Sequence, residues 1–155
     1  MSKAAFVRGV RIGVDVGQVR VGIAICDPDG ILASPLVTLA RDLTAKVGAL
    51  PTDIGQIARL VVEHESVGVV LGLPLRLSGQ EGLAAASARE YAALLSDAIA
   101  PVPVSLSDER MSTVVASRRL AERGVRGKRQ RAVVDQAAAV EILQGWLDAH
   151  RRQVP

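Results

Sequence analysis

The sequence predicts an α/β protein built on a five-stranded mixed sheet with helices packed against it. Three observations carry this expectation: a strand-rich opening with two turn signals, a continuous apolar run at residues 67–73, and helical apolar spacing in the segments that separate the later strands. Val10, Ile12, Val14 and Val16 alternate with Arg11, Gly13 and Asp15, and residues 20–26 repeat a β-rich pattern after a short turn, which predicts a hairpin. Asp27, Pro28, Asp29 and Gly30 form the second turn signal. A third strand is expected over residues 31–39, and Pro35 assigns it to an edge because proline cannot donate to a ladder. These three strands make an antiparallel meander.

A helix opens near Thr52 or Asp53 as cap and carries Ile54, Ile57, Ala58, Val61 and Val62 at helical spacing. Residues 67–73 are apolar throughout, as in a strand covered on both faces by a parallel arrangement. A polar loop at 74–82 leads into an alanine-rich helix from residue 83 to about residue 100, then a fifth strand at 102–107 and two helices at 112–123 and 132–149. The 155 residues fit one domain, and at this length folding hides roughly 70% of the unfolded surface, so a core forms without disulfides. Cys26 is the only cysteine and is expected to be a small buried residue. No apolar stretch approaches the ~18 residues of a membrane span, and the first residues lack a signal peptide's apolar centre. A cytoplasmic protein with no membrane partner is expected.

Net charge is +3, from 19 basic and 16 acidic residues, but the distribution is uneven. Residues 110–131 hold eight basic residues (Arg110, Arg118, Arg119, Arg123, Arg126, Lys128, Arg129, Arg131) against Glu122 alone, so this stretch is +7 and the remainder −4. Such a block suits a polyanion. Phe6, Tyr91 and Trp146 are too few to stack successive unpaired bases, so phosphate contacts would dominate.

Three acids stand out. Asp15 lies on an apolar strand, and period two places it on one face with Gly13 and Gly17, where missing side chains leave room for a cation and for a sugar-phosphate backbone. Glu109 follows the fifth strand, at the end where open α/β sheets place ligands. Asp135 falls within about 40° of Ala139, Ile142 and Trp146 on a helical projection, so it should point inward. Converging carboxylates repel unless a cation is present, and with His64 and His150 as the only histidines the donors are oxygens that suit Mg²⁺ or Mn²⁺.

Four segments, GVDVGQVRVGIA at 13–24, GLPLRLSGQEG at 72–82, DERMST at 108–113 and KRQRAVVDQAAAVEILQGWL at 128–147, resemble the YqgF/RuvX family in order and spacing. These are bacterial proteins described as pre-16S rRNA nucleases or Holliday junction resolvases. The resemblance spans residues 8–149, with Met111 where a leucine is usual and Leu77-Ser78 where a polar or acidic pair is common. It implies a ribonuclease H-like fold and places Asp15, Glu109 and Asp135 at the family's catalytic carboxylate positions. It also implies hydrolysis of phosphodiesters in structured RNA or branched DNA, with two ions ~4 Å apart and 5′-phosphate and 3′-hydroxyl products. Arg20, Arg110, Arg126, Lys128, Arg129 and Arg131 are the expected phosphate contacts, and ribosomal precursor particles and a monomer or homodimer are the expected context. Two other readings compete. The first hairpin also looks like the phosphate hairpin of the actin, Hsp70 and sugar-kinase fold, but that fold needs two lobes; a catalytically idle nucleic-acid-binding module would use the basic block alone.

Overall fold

The first hairpin organises the structure, a computed structural model that describes residues 6–76, 78–108 and 128–151, with side chains from 133 onward in the last segment. β1 (Arg11–Val16) and β2 (Arg20–Cys26) pair antiparallel, and the Gly17 N–H donates to the Arg20 carbonyl at 2.8 Å to close the turn. β3 (Ala33–Ala40) adds antiparallel to β2 at one edge. Pro35 pairs with Ala24 beside a register shift at Ile23/Ala24, a bulge of the kind that accommodates proline on an edge strand. The strand starts two residues later than the sequence pattern predicts. The N–H groups of Ile31 and Leu32 donate to the Asp27 carboxylate at 3.0 and 2.7 Å, which commits them to the turn.

α1 (Thr52–Glu63) begins after Pro51, with no side-chain cap; Thr52 and Asp53 lie inside its first turn. Ile54, Ile57 and Val61 face inward, whereas Val62, expected in that stripe, is 77% exposed. β4 (Gly68–Leu73) is wholly buried and runs parallel to β1, and β5 (Val104–Asp108) is parallel to β4. α2 (Leu83–Ile99) connects them. α3 (Lys128–Arg151) starts four residues before the predicted helix. The helix expected at 112–123 lies outside the described residues. Strand order is β3-β2-β1-β4-β5, an antiparallel meander joined to two parallel strands, which is the five-stranded mixed sheet the sequence predicts.

The two faces of the sheet pack differently. Ile12, Val14, Val21, Ile23, Val69, Leu71 and Leu73 form one core with α1 and α2. On the other face Ala24, Cys26 and Val70 meet Ala139, Ile142, Leu143 and Leu147 of α3. Cys26 is buried there, as expected, and burial pushes its thiol pKa up.

Candidate active site

On the α3 side of the sheet the strands carry little bulk. A Cβ at Gly22 would lie 2.1 Å from the Asp135 carbonyl oxygen and 2.4 Å from its carbonyl carbon, and one at Gly13 would lie 2.7 Å from Leu143 Cβ and 2.9 Å from the Ala139 oxygen. The helix backbone therefore rests directly on both glycines. This corrects one detail of the sequence reading, because the space beside Gly13 is filled by α3 and is not open to a ligand.

The same close approach makes neighbours of two acidic residues. Asp15 is the cross-strand partner of Gly22, and Asp135 Cβ lies 3.1 Å from where a Gly22 Cβ would sit. Directly opposed Cβ positions are ~4.5–5.5 Å apart, which bounds the Asp15–Asp135 Cβ separation at roughly 8 Å. Both residues are only 2% exposed. Asp15 comes from a strand and Asp135 from a helix 120 residues later, so the fold alone joins them.

Arg20, two residues before Gly22 on β2, donates from Nε to Asp135 Oδ2 at 2.8 Å. Its side chain is 19% exposed. The sequence places this arginine among the phosphate contacts; in the structure it engages a carboxylate.

Glu109, Arg110 and Arg126 lie outside the described residues. Asp108, which precedes Glu109, ends β5 in register with Leu73, so the C-terminal ends of β1, β4 and β5 share one end of the sheet. Lys128, Arg129 and Arg131 belong to the start of α3, within about 10 Å of axial rise from Asp135, and their side chains are outside the description. Among the described residues no three His, Cys, Asp or Glu side chains are grouped closely enough to hold a metal ion. Two buried carboxylates nevertheless fit a hard divalent cation, which takes oxygen donors and commonly only one or two carboxylates from the protein.

Leu75 and Glu81 form an isolated bridge, and Glu81 receives both Nε and Nη2 of Arg89 at 2.6 and 2.7 Å. A further buried acid, Asp53, enters the sequence reading only as a candidate helix cap. It accepts the Tyr91 hydroxyl at 2.6 Å and the Asp42 N–H at 3.1 Å on the opposite face of the sheet. Its signal was the spacing to Ile57, four residues on and therefore on the same helix face. Among the described residues no helix is long and apolar enough to cross a membrane.

A family model described as "RuvX: Holliday junction resolvase" matches residues 9–149. A protein of Frankia casuarinae named "Putative pre-16S rRNA nuclease" is 55% identical over 142 residues, covering 92% of this chain and 68% of its own length. A Rhodococcus erythropolis protein of the same name is 52% identical over 147 residues, covering 95% of this chain and 82% of its own. Among solved structures, Thermus thermophilus RuvC aligns with a TM-score of 0.49 and 14% identity over 93% of this chain and 97% of that one.

Proposed function

The chain belongs to the RuvX family, and from that premise we propose that it is a divalent-metal-dependent endonuclease that hydrolyses phosphodiester bonds of structured nucleic acid. In this reading it acts in the cytoplasm on the 5′ end of precursor 16S rRNA, in ribosomal precursor particles. The observation that carries the reading is that Asp15 and Asp135 are both buried, with Cβ atoms no more than roughly 8 Å apart, beside the gap left by Gly22. Relatives named as pre-16S rRNA nucleases support the choice of substrate.

Asp15 and Asp135 would hold Mg²⁺ or Mn²⁺, with Glu109 as the third acid. Such an ion makes a water molecule more acidic and stabilises negative charge on phosphoryl oxygens. The chain's own residues do the rest. β1 fixes Asp15 at a central position of the sheet, and α3 fixes Asp135 against Gly22, so neither carboxylate has to be ordered when substrate arrives. Lys128, Arg129 and Arg131, on the same helix as Asp135, together with Arg110 and Arg126, would bind flanking phosphates and set the register of the strand to be cut.

A second reading, cleavage of branched DNA, is favoured by the description of the family model; symmetric cutting of a junction would need a two-fold dimer. The test is cleavage of matched RNA, DNA duplex and four-way-junction substrates with Mg²⁺ or Mn²⁺, using Asp15→Asn as the blank. Metal-dependent cleavage of the RNA, absent from the blank, is expected. Cleavage that persists unchanged in Asp15→Asn would refute the assignment.

A further inference from the structure

Asp135 is held by β2 from two directions. Gly22 receives its backbone, with the carbonyl oxygen 2.1 Å from a would-be Cβ, and Arg20, on the same face two residues away, takes one carboxylate oxygen at 2.8 Å. An arginine on an exposed surface would have little reason to keep one geometry, since exposed ion pairs contribute ~1 kcal/mol or less. This pair differs because its acceptor is 2% exposed and its donor is mostly covered. Nε, the inner nitrogen of the guanidinium, makes the bond. The two terminal nitrogens extend beyond it.

We propose that Arg20 is a positioning residue for Asp135: its Nε occupies Oδ2, fixes the rotation of the carboxylate and leaves the other oxygen for a divalent cation shared with Asp15. The inference rests on the carboxylate-site reading above. Hydrogen-bonded partners of ligating carboxylates orient the ligand, and their loss typically costs ~10- to 100-fold in metal affinity or activity. The guanidinium charge opposes the incoming cation. The side chain keeps 19% exposure, so that repulsion is partly screened, whereas the short contact with the buried oxygen is screened less; loss of orientation is therefore expected to outweigh loss of repulsion.

Two other roles predict different outcomes. A phosphate contact would act on substrate binding alone. An arginine that merely neutralised the pocket would, once removed, let a cation bind more tightly.

The experiment is Mn²⁺ titration of the full-length protein followed by electron paramagnetic resonance without nucleic acid, paired with cleavage kinetics, for wild type, Arg20→Gln, Arg20→Lys, Asp15→Asn and Asp135→Asn. In Arg20→Gln we expect Kd for Mn²⁺ to rise ~10- to 100-fold and kcat to fall by a similar factor, with KM within about twofold. Arg20→Lys keeps a charge but not the planar Nε donor, so it should recover only part of both losses. That variant carries the test alone if the glutamine protein does not fold, and a wild-type Kd in it would overturn the proposal. An unchanged or tighter Kd in Arg20→Gln overturns it as well. So does a raised KM at constant kcat with a salt slope reduced by ~0.9, the mark of a lost phosphate contact. If wild type binds Mn²⁺ and the two aspartate variants do not, retention by Arg20→Gln refutes the role of Arg20 alone; absence of binding in wild type refutes this role and the nuclease reading together.

Discussion

The two faces of the sheet bury acids in opposite ways. Under α1 and α2 the strands present isoleucine, valine and leucine, and the acid on that side, Asp53, is met by a tyrosine hydroxyl and a backbone N–H. Under α3 the strands β1 and β2 present glycine, alanine and cysteine, and two acids share one neighbourhood with an arginine at its edge. Bulk explains the difference. Large side chains hold a helix away from the strands and fill the space between, whereas missing Cβ atoms let α3 settle onto β1 and β2 and bring Asp135 toward Asp15. A buried acid satisfied by neutral donors is a structural element; two neighbouring acids are what the proposed cation site requires.

The largest effect should come from abolishing that asymmetry. Gly22→Val places atoms inside the backbone of Asp135, so we expect a loss of more than ~4 kcal/mol in urea unfolding, with α3 displaced. Retained stability would show that the seat of α3 is not fixed by this glycine. On the other face Leu95→Ala should cost about 3 kcal/mol, from the lost burial and the cavity left behind. Per folded molecule, its cleavage rate should be unaltered. A change would mean that the α1/α2 core tunes the site.

Tyr91→Phe should cost about 2 kcal/mol, because the buried Asp53 carboxylate loses its hydroxyl donor. In the native protein burial first, and then the bond to Asp53, push the Tyr91 pKa far up, so alkaline titration of the tyrosine should coincide with unfolding. An earlier spectroscopic transition would contradict this.

The smallest effect concerns Asp27. The N–H groups of Leu32, Ile31 and Asp29 hold its carboxyl below the usual range, so its contribution is complete above the ordinary carboxylate pKa of ~3.9 and disappears as pH falls through the lower folded value. Asp27→Asn should reduce the stability difference between pH 7 and pH 3. An unchanged difference would dismiss the carboxylate.

Much of this organisation was legible in residue patterns. Alternation in β1, the apolar run of β4 and Pro35 at an edge are local signals whose structural outcome is also local. The phase of Asp135 with Ala139 and Ile142 pointed it inward, and it is buried. What could not be read was which glycine served what. Gly13 reads as clearance for a ligand and turns out to be a seat for a helix more than 120 residues away, because sequence shows an absent side chain but not what approaches it. Arg20 was expected among the phosphate contacts, and its bond to Asp135 depends on a packing that no spacing rule encodes. Asp53 was legible by the same phase rule and was read as a cap.

The central claim, that Asp15 and Asp135 serve one site, is tested most directly by comparing metal-dependent cleavage in Asp15→Asn, Asp135→Asn and the double variant. Groups that act as a unit give non-additive losses, so each single change should lower kcat by ~10³-fold or more and the double change should be little worse. Wild-type cleavage by Asp135→Asn beside an inactive Asp15→Asn would contradict it.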